Sequence, residues 1–118
     1  MSEAPNIVRP IRWSKLRRDE AERVIRQRCA DSDNVIFGTH AFRRMNERSN
    51  IQKLYAEDAY VILESGSVKD DPVLENGEWK VVVIKRMPGT REAGVVTLFT
   101  KDGTTLFIKT VEWMDWQT

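Results

Sequence analysis

The apolar positions of this chain first follow a helical period. Leu16, Ala21, Val24, Ile25 and Cys29 fall along one side of a helix, the spacing that buries a single face. Ser14 stands just ahead as a suitable N-cap, which predicts a first helix from about Ser14 to Ala30. A polar break, Asp31 to Asn34, precedes Val35-Ile36-Phe37, an apolar run short enough for one brief strand. Gly38 turns the chain and Thr39 is placed to cap a second helix, which Ser49-Asn50 ends. A third helix is expected over Tyr55–Ser65 with Ala59, Ile62 and Leu63 inward. Gly66 suits the position after its last turn, and Val68 would supply the hydrophobic contact that follows such an ending.

Beyond Gly66 the period changes to two. Trp79 to Met87 reads as a strand with Lys80, Val82, Ile84 and Arg86 on one face and Trp79, Val81, Val83 and Lys85 on the other. Its four central apolar residues predict an interior strand buried on both faces. Pro88 to Gly94 reads as a loop and Val95 to Thr100 as the next strand. Asp102-Gly103 predicts a tight hairpin turn with positive φ at both positions. Thr104 to Trp113 closes the sheet, with Phe107, Lys109 and Val111 alternating with Ile108, Thr110 and Glu112. Helices first and strands later imply an α+β fold, a three- or four-stranded, mostly antiparallel sheet with three helices. The organisation expected is a mobile arm over residues 1–12, an N-terminal helix within 13–34, and a core over 35–118, together one domain.

Composition narrows the function classes. A chain of 118 residues with 41% hydrophobic content can bury a real core. The formal charge of +1 argues against a generic polyanion binder. The charge is uneven, however. Residues 1–50 carry 11 Lys and Arg against 7 Asp and Glu, and residues 51–118 carry 8 against 11, so any electrostatic footprint belongs to the first half. Arg17, Arg18, Arg23, Arg26 and Arg28 of helix one are either a solvated surface interleaved with Asp19, Glu20 and Glu22 or a basic track for an RNA backbone. Cys29 is the only cysteine. It reads as a half-buried helix residue, and a chain with one thiol suits a reducing compartment. One histidine and one cysteine cannot complete a zinc set, and neither a metal nor another cofactor is expected. With no signal-like or membrane-spanning apolar run, a cytoplasmic protein is expected.

Helix two carries the candidate chemistry. His40 is the only histidine, and His40, Arg44 and Arg48 recur every four residues, so on a helix they share one side. Ala41, Phe42 and Met45 occupy another side, suited to a core contact. A side chain that titrates near neutrality, in line with two guanidiniums, suits a phosphate. His40 would move the proton, while Arg44 and Arg48 would hold the nonbridging oxygens. Arg43, Lys85, Arg86 and Lys109, with Arg91, could extend a phosphate- or RNA-binding groove. The competing reading is structural: a capping histidine, arginines paired with acids such as Glu47 or Asp58, and rim lysines in solvent. Trp113 and Trp116 could stack on bases or cover a core edge.

The runs HAFRRMNERSN and DAYVILESGSV, then EWKVVVI and TTLFIKTVEW, resemble a small bacterial domain family of unknown function. Its members carry a His-Ala-x-x-Arg-Met-x-x-Arg helix, and the family is similar to the RelE/ParE superfamily of toxins. The resemblance covers about residues 35–113, and His40, Ala41, Arg44, Met45 and Arg48 fall on the motif. It implies a RelE-like sheet with helices packed on one face. It also implies a toxin of a toxin–antitoxin pair acting on RNA or at the ribosome. RelE-type members are metal-independent mRNA endoribonucleases held by a cognate antitoxin, whereas ParE-type members act instead on DNA gyrase, and many related proteins have no demonstrated activity. The chain departs from the family where Ser49-Asn50-Ile51-Gln52-Lys53-Leu54 replaces a shorter Gly-Ile link, and in its additional helix one. The alternative is a non-enzymatic interaction module that docks a partner protein or forms a homodimer.

Overall fold

The computed structural model describes residues 11–47, 54–89 and 91–114, without the side chains of Arg44, Asn46 and Glu47. Three helices, α1 (Arg18–Cys29), α2 (Thr39–Glu47) and α3 (Ala56–Ser65), accompany six strands. These are β1 (Val35–Phe37), β2 (Ser67–Val68), β3 (Val73–Glu75), β4 (Glu78–Arg86), β5 (Glu92–Phe99) and β6 (Leu106–Trp113). The strand order is β1-β6-β5-β4-β2, and β3 pairs with the same edge of β4 as β2 does. Only β1 and β6 run parallel. The fold is α+β as expected, but the sheet has six strands rather than three or four. No described helix is long and apolar enough to cross a membrane.

The two unforeseen strands are very short. β3 is made by the turn Asn76-Gly77, with φ of 52° and 79°. Asn-Gly is the pair that a two-residue hairpin with positive φ at both positions selects. β2 begins directly after α3, because Gly66 ends that helix in an extended conformation, φ −82° and ψ −179°. Gly66 therefore does not take the left-handed conformation of such an ending, while Val68 is buried in the core as expected. Glycine is required there for space. A Cβ would lie 2.6 Å from the carbonyl oxygens of both Ile62 and Ile84.

One face of the sheet carries the core. Trp79, Val81, Val83, Ala93, Val95, Phe99, Leu106, Ile108, Val111 and Trp113 point into it. They meet Val24, Ile25, Ala41, Met45, Ala59, Ile62 and Leu63 from the helices. None of the described helices lies over the opposite face. Val82, Ile84, Val96 and Leu98 stay half-buried there, and Ile36 and Phe107 are 48% and 37% exposed. The expectation that β4 is buried on both faces is thus corrected: it is interior by pairing, one-sided by packing, as antiparallel sheets commonly are.

Other boundaries move for identifiable reasons. Residues 13–15 form a turn rather than a helix start. Helix α1 begins instead where the Glu20 carboxylate accepts from the Arg17 backbone N–H at 3.1 Å. The same device opens α3, Tyr55 N donating to Asp58 Oδ2 at 2.8 Å. Glu92, Ala93 and Gly94 belong to β5, not to the preceding loop, because they pair with Arg86, Lys85 and Ile84. The β5–β6 connection is the six residues 100–105 rather than a two-residue turn. Gly103 has φ 87°, but Asp102 does not share a positive φ. On β6 strict alternation fails. A bulge facing Val96 and Thr97 makes Lys109 the extra residue, so Ile108 and Val111 both reach the core.

Candidate functional site

Helix α2 is placed by its start and its inner side. Gly38, just before it, donates its backbone N–H to the Ile108 carbonyl at 2.9 Å, tying the helix start to β6. Ala41 and Met45 are buried against the core. This anchoring leaves His40 and Arg43 exposed. Among the described residues no hydrogen bond or ion pair reaches the His40 ring. Phe42 is half-exposed and leans on Phe37, ring centroids 5.5 Å apart, while Phe37 meets Tyr60 at 6.0 Å. Aromatic contacts therefore flank the helix start. The Arg44 side chain and all of Arg48 lie outside the described residues, so of the His40/Arg44/Arg48 side the structure describes the His40 side chain, with Arg43, which is not part of the motif, exposed nearby.

The sheet cations do not form one patch. Lys85 and Arg86 are consecutive and point to opposite faces. Lys85 is half-buried on the helix side, opposite Ala93, and Arg86 is exposed on the bare side, opposite Glu92. Lys109 is exposed at the β6 bulge. The bare side also holds Lys80, in one row with Leu98, Phe107 and Ile36. The signal for that row was present: alternation in β4 puts Lys80 and Arg86 on one face. Arg91 does not open into a groove. Its guanidinium carbon lies 4.4 Å from the centroid of the Trp113 ring, a cation–π contact. Trp113 is buried, which fits the core-edge reading. Trp116 lies outside the described residues.

The arginines of helix α1 are mostly engaged by backbone. Arg28 is buried, with Nη1 donating to the carbonyls of Thr100 at 2.9 Å and Thr105 at 3.4 Å, and Nη2 to that of Lys101 at 3.3 Å. It also lies 5.5 Å from the Phe99 ring centroid. Burial lowers its pKa from the ordinary guanidinium value. Arg28 is thus a clamp on the β5–β6 loop, which corrects its reading as a surface or RNA-tracking cation. Arg26 donates to the Gly66 carbonyl at 3.0 Å. Cys29 is buried, and burial raises its thiol pKa, reinforced by the charge of Glu64. It is a packing residue and a poor nucleophile. Among the described residues no three His, Cys, Asp or Glu side chains converge as a metal-binding group.

No family model matches the chain, and no curated protein or solved structure does so either.

Proposed function

We propose that this protein is a RelE-like RNA-binding protein that cuts mRNA without a metal, as the toxin of a toxin–antitoxin pair. The observation that carries the reading is the exposed His40 ring at the start of a helix whose inner residues, Ala41 and Met45, are locked into the core. A proton-transfer group needs such access together with a rigid backing. The element order gives further support. After α1 come one strand, two helices and a mostly antiparallel sheet, an order consistent with the sheet with helices packed on one face that the resemblance implies.

In this reading neutral His40 takes the proton from a ribose 2′-hydroxyl. The oxygen attacks the adjacent phosphorus, the bond to the 5′-oxygen breaks, and that oxygen receives the proton back from the imidazolium. The new 2′-oxygen–phosphorus bond leaves a cyclic phosphate. Arg44 and Arg48 hold the nonbridging oxygens as charge grows on them. Arg43 and, on the helix side of the sheet, Lys85 bind flanking phosphates, with Lys109 at the β6 bulge; Arg86 points to the opposite face of the sheet and lies outside this set. The protein would act in the cytoplasm, on RNA alone or on the ribosome, held inactive by an antitoxin.

Induced expression in a bacterial host tests the reading, with growth and RNA integrity as the measurements. Wild-type protein should arrest growth and fragment RNA, and a folded His40→Ala/Arg44→Ala variant should do neither. Arrest that persists in the folded double variant rejects the assigned roles. A second reading, a non-enzymatic interaction module, draws on the bare sheet face with Ile36 and Phe107 exposed. Expression without growth arrest or RNA damage would favour it.

A further inference from the structure

The bare side of the sheet has a layout that is its own complement. Val96 stands at its centre, with Val82 beside it on β4 and Thr110 beside it on β6. Four corner positions surround this row. On β4 they are Lys80, level with Leu98, and Ile84, level with Gly94. On β6 they are Phe107, level with Leu98, and Glu112, level with Gly94. One diagonal through Val96 is therefore apolar, from Ile84 to Phe107. The other ends in opposite charges, Lys80 and Glu112. Gly94 leaves no hollow, because Met114 lies over it, its Sδ 2.5 Å from the position a Cβ would take.

Lys80 is half-buried between Val73 and Leu98, and among the described residues it forms no ion pair. Glu112 already interacts within its own chain, and a carboxylate has lone pairs for more than one donor. A polyanion would be repelled at the Glu112 corner. A second copy of the same face matches both corners. Turned about a two-fold axis along the apolar diagonal, it sets Ile84, Val96 and Phe107 against the same residues and each Lys80 over the partner's Glu112. An interface of this kind uses one patch twice.

The dimensions allow it. With strands about 4.8 Å apart and alternate residues roughly 6.6 Å apart, the strands of the two copies cross at roughly 70°, nearest the orthogonal class of sheet packing. Sheets packed face to face lie about 10 Å apart, a gap that a lysine and a glutamate together span. The strands from β3 to β1 and the length of β4 give a face of roughly 24 by 26 Å, so two copies bury on the order of 1,000 Å², the lower bound for a specific interface.

We propose that this protein forms a symmetric homodimer through the bare sheet face, with Ile84, Val96 and Phe107 along the axis and Lys80 of each copy paired to the partner's Glu112. The contact lies on the side of the sheet away from α2 and stands independently of the activity proposed there.

Sedimentation of the full chain over a concentration series tests this. Wild-type protein should pass from monomer to dimer as concentration rises. Lys80→Glu and Glu112→Lys should each weaken the dimer about tenfold or more, since each sets like charges together twice. Lys80→Glu/Glu112→Lys exchanges the two charges and should restore it, a recovery that only a self-complementary face predicts. A wild-type chain that stays monomeric throughout overturns the proposal and leaves the face to another partner. A dimer indifferent to Lys80→Glu overturns it too, as does a folded double variant that fails to regain the dimer. If the variants do not fold, the methyl NMR signals of the wild type decide. Those of Val82, Ile84 and Val96 should shift with concentration while those of Val24 and Ile62 in the core stay fixed. Bare-face signals that do not move as the dimer forms place the contact elsewhere and overturn the proposal.

Discussion

Helices α1 and α2 both carry closely spaced arginines, yet the fold uses the two sets in different ways. On α1, Arg28 is buried against the loop 100–105, and Arg26 and Arg18 reach the backbone beside β2. On α2, Arg43 stands exposed beside an exposed His40. The difference lies in what each helix faces. Helix α1 lies over the open ends of strands, where carbonyls lack ladder partners, and a guanidinium offers up to five donors to them. Helix α2 lies over β6, whose backbone is already paired on both sides by β5 and β1, and Arg43, the α2 cation whose side chain is described, stays exposed. Arginine in sequence is a charge; in the fold it is a set of donors whose role depends on the nearest unpaired oxygen.

That contrast is sharpest in stability. Arg28→Ala should cost about 2–4 kcal/mol in urea denaturation, because it removes hydrogen bonds to three carbonyls and leaves a cavity beside Phe99. A loss under about 0.5 kcal/mol would mean that the loop carbonyls find water instead. Arg28→Lys should recover only part of the loss, since one ammonium cannot span all three acceptors. Arg26→Ala removes a single partly exposed bond and should cost about 0.5–1 kcal/mol in the same assay.

These differences explain what could be read in advance. The helices and long strands were legible because each buries one face, and the period of that face is written in residues such as Ala59, Ile62 and Leu63 or Trp79, Val81 and Val83. β2 and β3 were not, because two or three residues carry no period; the Asn76-Gly77 pair was the available sign of β3. The β6 bulge is set by register against Val96 and Thr97, which lie in another strand. The role of Arg28 depends on carbonyls 72 to 77 residues away, invisible to any local pattern. Within the candidate site, the exposure of His40 followed from its place off the Ala41/Met45 side. The splitting of Lys85 from Arg86 followed from alternation alone and should have separated them at once.

Cys29 tests the inner side of α1. Its raised thiol pKa means that the folded chain holds the proton more tightly than the unfolded one. The resulting stability is complete below the unfolded value near ~8.5 and is lost as pH rises from there through the folded value. Stability in urea should therefore fall slightly between neutral and alkaline pH in the wild type, and less so in Cys29→Ala measured against its own neutral value. Thiol labelling at pH 8 should be slow until the chain is unfolded, and rapid labelling of native protein would contradict the burial.

The smallest expected effect on stability bears most directly on function. His40→Ala and Arg43→Ala remove exposed side chains that form no described hydrogen bond, so each should leave urea denaturation within about 0.5 kcal/mol of the wild type. If α2 presents these groups to RNA, the same substitutions should be costly in growth arrest or RNA cleavage, with His40→Ala abolishing it and Arg43→Ala reducing it as loss of one phosphate contact would. The dependence of RNA binding on salt should then flatten in Arg43→Ala, since each neutralised phosphate contributes one released counterion to the slope. Were His40→Ala instead to destabilise the protein by 1 kcal/mol or more, the ring would be holding the helix start. The arginines of both helices would then be structural, and the contrast between α1 and α2 would disappear.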